Sequence, residues 1–366
     1  MADTVHASPR NEPPEKVGAK SISEMAGRET PLIRNYWYVA AFSEEITRVP
    51  MRRTILDRDI VFYRKEDGTP VALQNRCAHR SYPLHKGTVS GDRIVCGYHG
   101  FEYGADGQCA HVPSLPAAPR AIKVQPFPLI EDGPLVWIWM GDPAEPDQSR
   151  MVYQDWCSKP GWTHVKGYMY MKANYLGLHE NLLDLSHFPF LHGQVLGRPE
   201  HAAAKPKVRV EGDVVFSGVM HRDVGMAPNY VKATGIKPPF DRESAHAIPC
   251  PGIHLGQAIL TDSSDPPQTH IRHIVHIMTP ETLKTTHYFW AIARDKAIDD
   301  PAVDKESLMF ADKAFMEDKV ALEEIEEVIA RDKRPDFREK IISTDEGAIT
   351  LLRAFARMAA REAGGE

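Results

Sequence analysis

The sequence of 366 residues contains no long apolar run and no dense run of basic residues. Its apolar stretches are short: Leu135–Met140 spans six residues, whereas a membrane-spanning helix needs about 20. The net charge of −6 gives no sign of a surface that binds nucleic acid. Residues 1–30 carry the acids Asp3 and Glu12 and no apolar core, so we expect no secretory signal there. These absences predict a cytoplasmic chain that binds neither membrane nor nucleic acid.

Cysteine is also scarce, with five residues in the whole chain. An odd number of cysteines in a chain that does not look secreted argues against a disulfide framework. Such cysteines more often bind metal or are simply buried. The sequence has no internal repeat and no low-complexity tract, and its length allows two domains with a sizeable core.

The first part of the chain consists of short β-prone segments separated by turn residues, which predicts an all-β domain. The predicted strands are Asn35–Phe42, Thr54–Tyr63, Val71–Leu73, Arg93–Val95 and Leu135–Met140. Residues 141–150 are rich in Gly, Pro and Asp and predict a domain boundary. We therefore expect a flexible extension over 1–30, a first domain over 31–145 and a second over 150–366.

The second part mixes helical and strand patterns, which predicts an α+β domain with an antiparallel sheet. The predicted helices cover about 174–188, 301–331 and 345–362. The predicted strands cover 207–210, 214–220, 253–261, 269–278 and 285–294. Asp299 or Asp300 can cap the long helix, whose first residue is Pro301.

Two short motifs in the first domain each supply one cysteine and one histidine. Cys77-Ala-His79 is separated by sixteen residues from Cys96-Gly-Tyr-His99. Two thiolates and two imidazoles suit either zinc or a [2Fe–2S] cluster of the Rieske type. Zinc sites usually place two cysteines on one motif, so the mixed motifs favour the cluster, and zinc remains the alternative. We expect the other thiols, Cys109, Cys157 and Cys250, to be packed or free.

A second candidate metal site lies in the stretch from Asn181 to His192. Asp184 and His187 would share one face of a helix, because they are three residues apart. Pro189 predicts that the helix ends near Phe188 and leaves His192 free to turn back towards His187. Two neutral imidazoles that converge can bind a divalent metal. The alternative is a pair of interior histidines near a helix end.

The predicted helix over 301–331 carries one acid within its apolar stripe. The stripe consists of Leu308, Ala311, Phe315, Asp318, Leu322, Ile325 and Ile329. A buried carboxylate needs a cation or hydrogen-bond partners, so Asp318 can complete a two-histidine, one-carboxylate iron site. The alternative is a slightly rotated stripe with Asp318 at its edge. We expect the neighbouring acids to form a solvated face: Glu317, Glu323, Glu324, Glu326 and Glu327.

With both ligand sets in view, the chain resembles the oxygenase (α) subunits of Rieske non-haem iron oxygenases, and among them the O-demethylases. The resemblance covers roughly residues 34–362. It rests on Cys77, His79, Cys96 and His99, on Asn181-x₂-Asp184-x₂-His187-x₄-His192, and on Phe315-Met-Glu-Asp318-Lys. It implies a two-domain fold: an all-β Rieske iron–sulfur domain followed by an α+β catalytic domain of the helix-grip, START-like type.

The resemblance also implies a role for each matching residue. His187, His192 and Asp318 would bind the mononuclear Fe(II), with Asn181 nearby. Asp184 would bridge to the cluster ligand His99 of a neighbouring subunit in a homotrimer. For substrate contacts, His276 matches a substrate-binding histidine of the family, and His254 lies near a second such position, where the residue type differs.

The activity implied is that of a terminal oxygenase, which uses O₂ and two electrons from NAD(P)H delivered through a reductase and a ferredoxin. We expect it to monooxygenate a small aromatic compound, with O- or N-demethylation as the favoured outcome. An alternative is cis-dihydroxylation of an aromatic ring with the same ligands. Two alternatives of other classes are a stand-alone Rieske electron carrier and a zinc-stabilised binding module.

Overall fold

The computed structural model describes residues 25–157, 159–193, 202, 205–224, 234, 236, 239–334 and 339–364. The described chain forms two compact units. The first, here called the β unit, comprises Arg34–Gln154 with Thr279–Thr282. The second, here called the mixed unit, comprises the rest of the described chain. Within these residues, no helix is both long and apolar enough to cross a membrane.

The β unit is built from short strands that pair in an antiparallel manner in three sheets. The strands are β1 Trp37–Phe42, β2 Met51–Ile55, β3 Arg58–Arg64, β4 Pro70–Gln74, β5 Thr88–Ser90, β6 Arg93–Val95, β7 Glu102–Tyr103, β8 Cys109–His111, β9 Pro126–Phe127, β10 Leu129–Asp132 and β11 Leu135–Trp139. The sheet orders are β1-β11-β10, β2-β3-β4-β9 and β5-β6-β7-β8. The last of these carries the loop that contains Cys96.

The predicted strand Thr54–Tyr63 is wrong, because the chain reverses in its middle. Leu56 and Asp57 have positive φ angles of 48° and 61° and form a two-residue hairpin between β2 and β3. This turn type usually uses Gly or Asn, so the sequence carries no recognisable turn signal here. Backbone N–H groups of the turn donate to Pro280 and Glu281 within the same unit, which compensates for the unfavourable conformation.

The mixed unit contains one seven-stranded antiparallel sheet and the helices that pack on it. Its strands are β12 Thr163–Met171, β13 Lys207–Glu211, β14 Val214–Val224, β15 Phe240–Cys250, β16 Ile253–Asp262, β17 Thr269–Pro280 and β18 Thr286–Arg294, in the sheet order β12-β18-β17-β16-β15-β14-β13. The helices are α1 Tyr175–Leu183, α2 Phe188–Leu191, α3 Pro301–Arg331 and α4 Glu346–Glu362. Asp300 caps α3 by accepting a 2.9 Å hydrogen bond from the Ala302 N–H, as its position predicts.

The predicted helix over 174–188 is broken where the candidate ligands lie. Helix α1 ends at Leu183, and Asp184 is extended, with φ −102° and ψ 95°. A 3-10 helix over Leu185–His187 then leads into α2. Pro189 lies in the first turn of α2, where its missing N–H is not needed, so it begins a helix instead of ending one.

Most of the predicted N-terminal extension, residues 1–24, lies outside the described residues. The end of the extension is packed, in contrast to the loose segment expected over 1–30. Ala26 is buried, and its N–H donates to the Leu352 carbonyl at 2.9 Å. Arg28 Nε lies 3.1 Å from Glu326 Oε1 on α3. These contacts attach residues 26–28 to the helices of the mixed unit.

Candidate metal centres

The four predicted cluster ligands lie on two neighbouring loops of the β unit. Cys77 follows β4 and Cys96 follows β6, and both side chains are buried, with 3% and 2% exposure. His79 and His99 are exposed, and their ring centroids are 4.6 Å apart. Two buried sulfurs beneath two surface imidazoles fit a cluster whose histidine-bound iron faces the outside of the domain.

Each loop is closed by two backbone hydrogen bonds around its cysteine. Cys77 N–H donates to the Tyr82 carbonyl, and the Cys77 carbonyl accepts from Ser81 N–H, both at 2.9 Å. Cys96 N–H donates to Phe101 at 2.8 Å, and its carbonyl accepts from Gly100 N–H at 3.0 Å. These bonds fix the backbone that carries both ligands of each motif.

The hydroxyl of Tyr103 contacts one of the ligand sulfurs. Its Oη accepts a hydrogen bond from Ala78 N–H at 3.2 Å and lies 3.2 Å from Cys77 Sγ. Burial, and then the neighbouring Cys77, raise the pKa of Tyr103. A sulfur that binds a cluster is a thiolate without a hydrogen, so the Tyr103 hydroxyl would donate to it. Sequence reasoning missed Tyr103, although it lies only four residues after the cluster ligand His99.

The second ligand set converges in the mixed unit. His192 Nε2 lies 3.0 Å from Asp318 Oδ1, the two histidine Nε2 atoms are 3.2 Å apart, and His187 Nε2 lies 3.5 Å from Asp318 Oδ1. Metal–ligand bonds of about 2.1 Å at right angles put adjacent donor atoms about 3.0 Å apart. These three atoms therefore fit one triangular face of an octahedral metal, and the opposite face is left for other ligands.

Each of these three ligands has its own orienting contact. His187 Nδ1 lies 2.6 Å from the Asp184 carbonyl; because a carbonyl only accepts, Nδ1 carries the hydrogen and Nε2 keeps its lone pair. Asn181 Nδ2 donates to Asp318 Oδ1 at 3.1 Å. His192 Nδ1 lies 2.7 Å from Glu317 Oε2. Such outer contacts fix ligand tautomers and positions.

Electrostatics inside this site favour an ionised acid beside the imidazoles. Burial alone would raise the pKa of Asp318, but its interactions with the imidazoles of His187 and His192 outweigh burial and lower the pKa to about 2. Burial also opposes the charged form of His192, yet Asp318 and Glu317 together raise its pKa. The pocket is thus built for a positive charge at the point where the three donor atoms meet.

The predicted apolar stripe along α3 is confirmed only in part. Asp318 is 5% exposed, as the stripe predicts, but Ile325 is 45% exposed and the buried face ends at Leu322. The expected solvated face is wrong for Glu317, which contacts His192. It is also wrong for Glu323 and Glu326, which accept hydrogen bonds from the N–H groups of Lys172 and Asn174. Glu324 and Glu327 are exposed as expected.

The two predicted substrate-contacting residues lie side by side in the sheet. His254 and His276 are direct partners in the register of β16 and β17, with ring centroids 5.8 Å apart. His276 Nδ1 lies 2.6 Å from Tyr288 Oη, and its ring is 5.3 Å from Phe315, one helical turn before Asp318. Burial lowers the pKa of His276 to about 3 and that of His254 well below 6.5. Both imidazoles are therefore neutral.

Two further histidines that sequence reasoning missed extend this group: His179 is buried and His246 is half-buried. His254 Nε2 lies 2.9 Å from His246 Nδ1, and His254 Nδ1 lies 3.4 Å from His179 Nδ1. His179 Nε2 lies 3.0 Å from the Pro251 carbonyl. His246 belongs to β15, a strand that the sequence did not indicate because its residues are largely polar. Burial lowers the pKa of both added histidines to about 4, so all four rings are uncharged at neutral pH.

Asp184 contacts its own chain through its side chain. Its Oδ1 accepts a 2.9 Å hydrogen bond from Ser186 N–H and so caps the 3-10 helix that carries His187. The expected contact with His99 of a neighbouring subunit stays a prediction. Of the remaining thiols, Cys109 and Cys250 are buried and Cys157 is half-buried, and all are free cysteines.

Two known domain families match this chain, one in each of its two predicted domains. The Rieske [2Fe-2S] domain family matches residues 36–128, and the vanillate O-demethylase oxygenase C-terminal domain family matches residues 171–361. The predicted order of an all-β Rieske domain and an α+β catalytic domain is thereby confirmed.

Individual relatives cover nearly the whole chain. The oxygenase component of dicamba O-demethylase from Stenotrophomonas maltophilia is 33% identical over 337 residues, 90% of this chain and 99% of the relative. The iron-sulfur subunit of a toluene-4-sulfonate monooxygenase system from Comamonas testosteroni is 33% identical over 319 residues, 82% of this chain and 89% of the relative. A crystal structure of dicamba monooxygenase bound to 3,6-dichlorosalicylic acid gives a TM-score of 0.85 at 30% identity, covering 91% of this chain and 99% of the other. The chain therefore belongs to the oxygenase subunits of the Rieske non-haem iron oxygenases, a family of oxidoreductases.

Proposed function

We propose that this chain is the terminal oxygenase of a multi-component monooxygenase that removes a methyl or other small alkyl group from an oxygen or nitrogen atom of a small aromatic compound. The observation that carries the proposal is the convergence of His187, His192 and Asp318, in a chain that also carries a Rieske ligand set. A stand-alone electron carrier has no use for a second metal site. A zinc-stabilised binding module has no use for a second metal site with open coordination positions.

The two metal groups divide the redox chemistry between them. Iron held by His187, His192 and Asp318 would activate O₂, and a [2Fe–2S] cluster held by Cys77, His79, Cys96 and His99 would supply electrons one at a time. The chain's own task is to hold three donor atoms on one side of the metal, so that the opposite side is free for O₂ and the substrate can lie beside it.

Apart from placing the substrate beside the metal, the protein needs few specialised groups for this reaction. Hydroxylation of a methyl group on a heteroatom gives a hemiacetal or hemiaminal, which loses formaldehyde without further help. His276 and His254 are the candidate polar contacts with the substrate. Because burial keeps both rings neutral, they would recognise it through hydrogen bonds and not through an ion pair. Phe315, whose ring lies 5.3 Å from that of His276 and which precedes Asp318 by one helical turn, supplies an apolar surface beside His276.

We also propose that the chain receives electrons from partner proteins and assembles as a homotrimer. Electrons from NAD(P)H would arrive through a reductase and a ferredoxin in the cytoplasm. A cluster and an iron in different units of one chain need not lie within electron-transfer distance of each other. A homotrimeric ring of heterologous contacts brings the cluster of one subunit to the iron of the next. In that ring Asp184 would bridge His187 and the His99 of the neighbouring subunit.

The direct test is reconstitution with a reductase, a ferredoxin and NADH, and assay of formaldehyde with a panel of methoxy- and N-methyl-aromatic compounds. We expect about one formaldehyde per NADH and per O₂ with an accepted substrate, because each turnover uses two electrons. His187→Ala should keep the visible cluster absorption and produce no formaldehyde. A cis-diol product would replace the proposal with ring dihydroxylation. A preparation that has a cluster but takes up no second iron would replace it with an electron carrier.

A further inference from the structure

Glu317 and Asp318 are consecutive residues of α3 and contact opposite nitrogens of the same imidazole. Asp318 Oδ1 lies 3.0 Å from His192 Nε2, and Glu317 Oε2 lies 2.7 Å from His192 Nδ1. Consecutive side chains on a helix point about 100° apart, so both acids can reach one ring only if it lies alongside the helix between them. The His192 side chain is 1% exposed, and that of Glu317 is 28% exposed.

We propose that Glu317 is a positioning residue of the mononuclear iron site. Its carboxylate accepts the Nδ1 hydrogen of His192, which fixes the tautomer that directs the Nε2 lone pair at the metal. This role rests on the proposed function, because it takes the triad of His187, His192 and Asp318 to bind iron.

Glu317 is suited to this role because it has no other partner. In the part of the chain that the structure describes, its carboxylate makes neither an ion pair nor a hydrogen bond except with His192. Lys313, four residues earlier on the same face of α3, is exposed and is the lysine that a surface acid at position 317 would normally face. Within the described residues, Glu317 forms no ion pair with it. Here Glu317 points at a buried ring.

The two ligand histidines differ in the charge of their outer partners. His187 donates to a backbone carbonyl, which is neutral, whereas His192 faces a carboxylate. A carboxylate partner makes an imidazole a more basic ligand. Glu317 also supplies a second negative charge beside Asp318, so that the two acids together balance the two positive charges of Fe(II) in a largely buried site. An unbalanced charge there would be costly.

The test compares Glu317→Ala and Glu317→Gln with Glu324→Gln, a control at an exposed position of the same helix. Each protein is stripped of mononuclear iron with a chelator and titrated with Fe(II) under anaerobic conditions. The EPR signal of the Fe(II) site with nitric oxide reports its geometry. Thermal unfolding before titration and the visible cluster spectrum establish that each variant is folded.

We expect Glu317→Ala to weaken Fe(II) binding by roughly 10–100-fold and to broaden the EPR signal, while the cluster spectrum and melting temperature stay unchanged. Glu317→Gln should recover the EPR signal, because its amide oxygen still accepts the Nδ1 hydrogen, and recover part of the affinity. Glu324→Gln should bind iron like the unsubstituted protein. Equal affinity and an equal EPR signal in Glu317→Ala would overturn the role of Glu317 alone. Failure of the unsubstituted protein to take up Fe(II) would overturn the proposed function as well.

Discussion

Asn181 donates a hydrogen bond from its Nδ2 to Asp318 Oδ1 at 3.1 Å, across 137 residues of sequence. The contact joins α1 to α3 at the carboxylate that faces both ligand histidines. It leaves that carboxylate oxygen pointing at the two Nε2 atoms, so the ligand segment and the long helix are aligned at the metal site itself. A substitution that removes the charge of Asp318 but keeps the shape of its side chain therefore tests the metal site directly.

Asp318→Asn should lose the mononuclear iron and all turnover while keeping its fold and its cluster. The amide has nearly the volume of the carboxylate, but it removes the negative charge that balances Fe(II) and presents an N–H to the donors around it. Iron analysis after gel filtration should fall from about three to about two irons per chain, as expected for a two-iron cluster plus one mononuclear iron. Asp312→Asn, at an exposed position of the same helix, is the control. Full iron content in Asp318→Asn would remove Asp318 from the ligand set.

The ligand residues could be proposed from the sequence because their chemistry and spacing are local. Cys77 and His79, like His187 and His192, lie within a few residues of each other, and metal binding needs those residue types. Asp318 was recognisable because a single acid interrupted an apolar helical stripe. No such local signal marked Glu317, since an acid beside other acids on a helix usually faces water. Its role depends on where His192 lies, and only the tertiary structure specifies that.

The fold was predictable to a similar extent and for similar reasons. Strands with an apolar pattern, such as β11 and β18, were recognised. Strand β15 reads Phe240-Asp-Arg-Glu-Ser-Ala-His-Ala, and its polar residues conceal a strand that pairs on both sides within the sheet and buries Ser244, Ala245 and Ala247. The turn at Leu56 and Asp57 depends on N–H contacts with Pro280 and Glu281, far away in the sequence. Long-range contacts of this kind leave no local pattern.

Tyr103→Phe should lower the reduction potential of the cluster. The Tyr103 hydroxyl lies 3.2 Å from Cys77 Sγ and would donate to it when the sulfur is a cluster-bound thiolate. A hydrogen bond to a ligand sulfur stabilises the reduced cluster, which carries more negative charge. The loss of about 1 kcal/mol corresponds to roughly 40 mV for a one-electron couple. Spectroelectrochemical titration of the visible absorption measures the shift. Tyr63→Phe removes another buried hydroxyl of the β unit, one that donates to the Asp92 carbonyl, and should leave the potential unchanged. An unchanged potential in Tyr103→Phe would mean that the hydroxyl does not act on the cluster.

Glu180→Gln should stabilise the protein at alkaline pH. Burial raises the pKa of Glu180 to about 7; Arg28 opposes this, and Glu339, Asp345 and Glu326 add to it. The folded pKa thus lies above the unfolded value near 4.5, so the unfolded chain releases this proton first as the pH rises. Stability is lost between about pH 4.5 and 7 and stays lost above that range.

A glutamine at position 180 is neutral at every pH and avoids this loss. The difference in unfolding free energy between Glu180→Gln and the unsubstituted protein should therefore grow by roughly 2 kcal/mol from pH 5.5 to pH 8. Urea unfolding at the two pH values measures it. The exposed Glu327 supplies the control, since Glu327→Gln should show no such pH dependence. A constant difference between pH 5.5 and 8 would contradict a raised pKa at Glu180.

The proposed trimer can be tested through Asp184, provided that its cap is preserved. Asp184 Oδ1 accepts the Ser186 N–H at the start of the 3-10 helix that carries His187, so Asp184→Ala would remove the cap together with the charge. Asparagine caps about as well as aspartate, and Asp184→Asn therefore removes only the charge and its acceptor strength. We expect this variant to keep its fold, both metals, the reducible cluster and a trimeric mass in sedimentation. Electron transfer from the cluster to the iron should slow by roughly 10–100-fold, because the bridge to His99 of the neighbouring subunit is weakened.

Rapid mixing of the reduced protein with O₂ and substrate measures this step, because the absorption of the oxidised cluster returns as the electrons leave it. The control variant Asp312→Asn should react like the unsubstituted protein. An unchanged rate in Asp184→Asn would contradict the bridge, and a fully active monomer would contradict the ring, because a single chain would then transfer electrons between its own two sites.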